Sequence, residues 1–168
     1  MYRIGDSVVY GVHGVCMVVD QEEWIIDRKR HMYLVLEPAS RDGSRYLVPT
    51  HNANAMAKLR RMLTKEEMET LVNSEEVMRD GWIADEGQRK QAYRELISSG
   101  DYAKLMQMVH TLYRHKAAQA ASGKKCHLCD ENFLRDAEKL LIGEVSIVLG
   151  IEPEQAKQYL RSKLKEDA

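Results

Sequence analysis

The sequence predicts an α+β chain of two domains, a small β-barrel followed by an all-helical domain. Short β-type runs broken by turn residues fill the stretch up to residue 60, and beyond Arg60 apolar residues recur at spacings of three and four. The first pattern suits strands and the second suits helices with one buried stripe. Short strands crowded into about 50 residues do not make a stable open sheet alone, so strong curvature into a barrel is expected. The boundary is placed between residues 60 and 61, giving domains 1–60 and 61–168.

The β part reads as five runs. Ser7-Val8-Val9-Tyr10 precedes Gly11 and Gly14, and Val15 to Val19 follows. Trp24-Ile25-Ile26 ends at the charged turn Asp27-Arg28-Lys29-Arg30. Met32 to Leu36 stops at Pro38, and Tyr46-Leu47-Val48 stops at Pro49. Between these last two lies Asp42-Gly43, which signals a two-residue hairpin because its turn needs positive φ at both central positions.

The helical part opens at Thr64-Lys65-Glu66-Glu67, which has capping-box spacing and announces a helix of roughly ten residues. Asp80-Gly81 breaks the chain, and a second helix covers roughly 84 to 98. Gly100 suits a left-handed C-terminal cap, and Asp101 suits the N-cap of a third helix. Tyr102, Leu105, Met106, Val109, Leu112 and Tyr113 form that helix's apolar stripe. Asp130 reads as the N-cap of a fourth helix running to Gly150, with Phe133, Leu134, Ala137, Leu140, Leu141, Val145, Val148 and Leu149 inward. Pro153 suits the first turn of a short last helix.

Composition excludes little: 168 residues, 44% hydrophobic and 30% charged, describe an ordinary globular protein. Formal net charge is -1, so a nucleic-acid partner has to be argued from local charge. No apolar run approaches a membrane span and no signal-peptide pattern opens the chain, so a cytoplasmic protein without a membrane partner is expected. Three cysteines cannot all pair within one chain, which suits a reducing compartment. No glycine-rich phosphate loop, Gly-x-Ser-x-Gly or His-Glu-x-x-His occurs, so no enzyme is expected and no cofactor is called for.

Three features remain as functional candidates. Cys126-His127-Leu128-Cys129 presents two thiols and an imidazole, three of the four ligands a structural zinc needs; the bland alternative is a helix-start loop with incidental thiols. Cys16 sits in a β-type run and is expected to be buried. Between Gly87 and Lys125 eight basic residues face two acids, a local net of +6, whereas 126–154 carries two basic residues against seven acids, a net of -5. A one-sided basic patch of that kind releases counterions from a phosphate backbone, although most lysines simply sit on solvated helix faces. Trp82 follows Asp80-Gly81 and precedes the basic stretch. It either packs inward or projects as an apolar wedge of the type that unstacks a base step from the minor groove. Trp24 is either barrel core or a partner-facing anchor.

The order of several motifs resembles the CarD/CdnL family. Ile4-Gly5-Asp6-Ser7-Val8-Val9-Tyr10, His13-Gly14-Val15, Tyr33-Leu34-Val35-Leu36 and Val48-Pro49 with Asn52 are similar to the family's N-terminal module. Trp82, Tyr93-Arg94-Glu95, Ser99-Gly100-Asp101, Leu112-Tyr113 and Asp136-Ala137-Glu138-Lys139-Leu140-Leu141 are similar to its C-terminal part. The resemblance implies a Tudor/SH3-like barrel that binds the RNA polymerase β subunit by strand pairing, and a helical domain at the upstream edge of the transcription bubble. Carried onto this chain, polymerase would be met by Arg45, Tyr46, Leu47 and Val48 with Trp24 on the neighbouring run. Promoter DNA would be met without sequence specificity by Trp82, Arg89, Lys90 and Arg94. The expected protein is a monomeric regulator of transcription initiation that stabilises the open promoter complex. Two alternatives stay open: a polymerase-binding adaptor that recruits another protein without touching DNA, and a metal or redox sensor built on Cys126, His127 and Cys129.

Overall fold

The structure, a computed structural model, describes residues 1–165. The last three residues of the expected helical domain therefore lie outside the described residues. The chain divides into two units, Met1–Met62 and Leu63–Ala168.

The first unit is a five-stranded antiparallel sheet: β1 (Ser7–Tyr10), β2 (Val15–Ile26), β3 (Lys29–Pro38), β4 (Tyr46–Pro49) and β5 (Leu59–Arg61), in the order β4-β3-β2-β1-β5. Its core joins Val8, Cys16, Val18, Leu34, Leu36, Val48 and Leu59. Alternation explains this set, since paired residues such as Val8 with Cys16 and Leu34 with Val48 point to one face. Among the described residues no pairing joins the outer strands β4 and β5, so the ladder is an open sheet and not the closed barrel expected.

Three local expectations are corrected. The runs 15–19 and 24–26 are one strand, β2, because a bulge between Val18 and Asp20 absorbs the change of register without ending the pairing with β3. The tight two-residue hairpin is not Asp42-Gly43 but Asp27-Arg28, both at positive φ (51° and 63°) with Ile26 paired to Lys29. Asp42-Gly43 sits inside the longer connection from Pro38 to Tyr46, where the Asp42 carboxylate accepts from the Ser44 amide at 2.8 Å and Gly43 has φ +84°. The fifth strand is Leu59–Arg61, reached through a one-turn helix α1 (Ala53–Ala57) that Asn52 caps. Its pairing with β1 is long-range, which local patterning does not reveal.

The second unit is helical: α2 (Lys65–Val72), α3 (Glu75–Met78), α4 (Glu86–Ser99), α5 (Tyr102–Ala121), α6 (Leu128–Leu149) and α7 (Pro153–Leu164). Thr64 caps α2 by accepting from the Glu67 amide, and Asp101 caps α5 by accepting from the Lys104 amide. Gly100 and Gly150 close α4 and α6 in the left-handed conformation. Every residue of the α5 stripe is buried, and Leu134, Ala137, Leu141 and Val145 of α6 pack against it. Asp130 is not the cap of α6. The helix starts three residues earlier than that cap would place it, after His127, and the Asp130 carboxylate turns inward to a buried ion pair. No helix of the described residues is long and apolar enough to cross a membrane.

Candidate functional site

The sheet unit presents an open edge and a projecting arm. β4 is an outer strand, held on one side by β3. The Thr50 amide donates to the Met32 carbonyl at 3.0 Å. By antiparallel alternation Val48 and Tyr46 then bond to β3, and the N–H and C=O of Leu47 face the open edge. Pro49, which has no N–H, falls on that outward phase, the position where an edge strand tolerates proline. The Leu47 side chain is 40% exposed, and the Tyr46 ring stacks on His13 at 4.0 Å. Burial first, and then the charge of Lys58, lower the His13 pKa, which favours the neutral ring. Arg45 pairs with Glu37 at 3.0 Å.

β2 and β3 outrun their short neighbours, so the hairpin around Asp27-Arg28 extends beyond the core. On it Trp24 is 43% exposed, rests against Tyr33 (5.2 Å between rings) and donates its indole N–H to Glu22 at 2.9 Å. Ile25, Ile26 and Met32 are also exposed there. Trp24 is therefore not core.

In the helical unit Trp82 lies in the loop between α3 and α4, half-buried. One line of α5 residues spaced by four, Gln107, Thr111 and His115, holds this loop. Gln107 donates to the Arg79 carbonyl at 3.2 Å, and the Thr111 hydroxyl accepts from the Gly81 amide at 3.1 Å. A Cβ at Gly81 would come within 3.3 Å of the Gln107 amide, so the loop's close approach to α5 favours glycine there. His115 stacks on the Trp82 indole, 3.4 Å between ring centroids and 13° between planes. The Arg89 guanidinium lies 4.4 Å from the indole centroid.

Arg89 itself is buried. It grips Asp130 with two bonds, Nε to Oδ1 at 2.9 Å and Nη2 to Oδ2 at 3.1 Å, and donates from Nη1 to the Ile83 carbonyl at 3.0 Å. Both side chains of the pair are at most 3% exposed. Burial pulls the Arg89 pKa down, and the hydrogen bonds and charge of Asp130 more than offset this, so its net shift is upward. Burial, then the Asp130 carboxylate, push the nearby Tyr93 hydroxyl up to about 12. Desolvation is also the main reason the His115 pKa is lowered. The result is an indole held against an imidazole that favours its neutral form and against a fixed guanidinium.

Two family models match this chain. Residues 2–62 match the CarD-like/TRCF RID domain, and residues 66–161 match the CarD C-terminal domain. The chain belongs to the CarD family. It is accordingly a transcription-associated regulator that binds RNA polymerase, in a family of regulators and not of known enzymes.

Within this CarD-family chain the site residues fall into distinct environments. Tyr46, Leu47 and Val48 lie on β4 and Arg45 just precedes it; Val48 is 0% exposed, so its side chain is core, and of these three strand residues Leu47 turns its backbone to the open edge. Trp82 and Arg89 are in contact, yet the expectation of Arg89 as a surface cation is corrected: its charge is spent on Asp130 inside the unit. Lys90 pairs with Glu86 at 3.0 Å, and Arg94 is exposed one turn further along α4. The basic and acidic blocks of the sequence are not two open faces. They meet across helices through Arg89 with Asp130 and Lys116 with Glu131 at 3.8 Å, and Glu138 of the acidic block pairs with Arg161 of α7 at 3.5 Å. Cys16 is buried, and burial raises its thiol to about 11. Cys126 just before α6 and Cys129 in its first turn are half-buried, and Cys129 donates to Glu86 at 3.7 Å. Among the described residues no three His, Cys, Asp or Glu side chains are grouped to hold a metal ion. Sequence reasoning did not pick out Gln107, Thr111 and Asp130 as the frame around Trp82. The hydrogen-bonding side chains at 107, 111 and 115, spaced by four along α5, were the available signal.

Proposed function

We propose that this protein regulates transcription initiation by pairing its β4 edge with the RNA polymerase β subunit and setting Trp82 against promoter DNA upstream of the melted region. The observation that carries the polymerase half is the open β4 edge, where the outward Leu47 backbone and half-exposed Leu47 side chain offer what an added strand needs: main-chain partners and a side chain to seat. The β unit acts as a Tudor-like module in this reading, and the Trp24 arm contributes an apolar anchor beside it.

The DNA half rests on Trp82. Its ring is stacked before any partner arrives, so little side-chain freedom is lost on wedging an exposed edge into a minor groove. Arg94 and, less directly, Lys90 approach phosphates. Such contacts carry little base information, so no sequence-specific reading is expected. Tighter binding to open than to closed promoter shifts the equilibrium toward melted DNA; a preference of about 1.4 kcal/mol changes the ratio about tenfold. A protein working on polymerase works in the cytoplasm.

The test has two arms. The full chain is expected to retain a purified β-lobe fragment at micromolar concentration, and Leu47→Glu is expected to lose it. Trp82→Ala is expected to keep lobe binding but reduce open-complex lifetime. Unchanged promoter opening by Trp82→Ala would favour the adaptor reading, and no lobe retention by the wild type would overturn the polymerase reading.

A further inference from the structure

The helical unit carries a second concave surface that the polymerase and DNA readings leave unused. The last turns of α5, the middle of α6 and the end of α7 enclose a groove of about 760 Å³. Its floor is apolar, built by Ala117 and Ala118 of α5 and Leu134 of α6. Both alanines are exposed, so nothing bulky prevents another backbone from coming close to α5.

The rim is cationic. Among the described residues Lys116, Arg161 and Lys165 line it together with Arg114, against one lining carboxylate, Glu138. That carboxylate is already engaged, accepting from the Tyr113 hydroxyl and paired with Arg161 at 3.5 Å. The Arg161 Nε is shielded from water and has no hydrogen-bond partner among the described residues. The Lys165 ammonium lies 5.3 Å from the Tyr113 ring centroid. The groove therefore sets the half-exposed Arg161 guanidinium and the Lys165 ammonium beside an apolar floor.

We propose that this groove docks an acidic amphipathic helix from a protein partner in the initiation complex; the choice of complex rests on the polymerase-binding reading above. An apolar stripe on such a helix seats on Ala117, Ala118 and Leu134 while flanking Asp and Glu side chains meet Arg161 and Lys165. Duplex DNA fits less well, since a phosphate backbone gains nothing from a concave apolar floor.

The experiment places a photo-cross-linking amino acid at Ala117 of the full chain, bound to cognate polymerase holoenzyme on promoter DNA. The same probe at exposed Gly143 serves as the reference. The expected product is a cross-link to one protein segment with an acidic, amphipathic sequence. Ala118→Glu is expected to lower that yield about tenfold, because it places an anion where the partner's acids approach. Ala118 is exposed on a helix and glutamate is a good helix former, so this variant keeps the fold. A cross-link to DNA, a cross-linked segment without acidic residues, or a yield no higher than at position 143 would overturn the proposal. Retention of the purified β-lobe fragment by the same probe-bearing chain is read in parallel. Retention without a groove cross-link sinks the groove proposal alone, whereas loss of retention sinks the polymerase reading and the groove proposal with it.

Discussion

Asp130→Ala is the most informative single change in the helical unit. It removes the carboxylate that Arg89 grips through two bonds at 2.9 and 3.1 Å and leaves a guanidinium only 3% exposed. Breaking a buried pair by deleting one partner costs about 3–5 kcal/mol, because the remaining charge is neither solvated nor compensated. The Ile83 carbonyl and the Trp82 ring still face Arg89, so the lower end, about 3 kcal/mol, is expected. For a domain of this size that amounts to a fall in Tm on the order of 12–24 °C. The assay is urea and thermal unfolding of the full chain, followed by helical circular dichroism. The double variant Arg89→Met/Asp130→Val removes both charges with a smaller change of volume than leucine would bring and is expected to be clearly less destabilised than the single variant. In a Trp24→Phe background, indole fluorescence then reports whether Trp82 has lost its cationic neighbour. A cost below about 1 kcal/mol for Asp130→Ala would refute the reasoning, since the pair would then be solvated in solution. So would a double variant as unstable as the single one.

Three further outcomes follow from the same structure. Leu47→Pro removes an outward-facing N–H, together with the leucine side chain and the freedom of φ, and is expected to abolish β-lobe retention while Leu47→Ala, which loses the side chain alone, keeps most of it, measured by pull-down of the full chain; equal behaviour would argue against strand addition. Val48→Ala, at a 0% exposed core position, is expected to cost about 2 kcal/mol in urea unfolding, showing that its role is packing and not contact with a partner. His115 has a lowered pKa, so the folded state prefers the neutral ring: its contribution is present above the ordinary value of 6.5 and is lost as pH falls below it. Between about pH 7.5 and 5.5 the wild type should lose more stability than His115→Asn, and parallel curves would sink that assignment.

The sequence by itself determined the two-unit layout and most of the helical unit. Caps such as Thr64 and Asp101, and the apolar stripe from Tyr102 to Tyr113, act within one or two turns, so the signal and the structure it specifies lie in the same few residues. It also marked Trp82 and the β4 segment as candidates, through motif order and resemblance. What only the tertiary structure decided is which groups meet across the chain. β5 pairs with β1 from 50 residues away, and the Val18–Asp20 bulge keeps β2 whole where local pattern reads two runs. Asp130 looks like a cap by its place in the chain but becomes the counter-charge of Arg89, 41 positions earlier. That pairing is what turns Arg89 from an apparent surface cation into part of the Trp82 frame. The physical reason is the same in each case: burial removes water as a partner, so a polar or charged group must take whatever the fold brings within hydrogen-bond reach, and sequence spacing does not encode that reach.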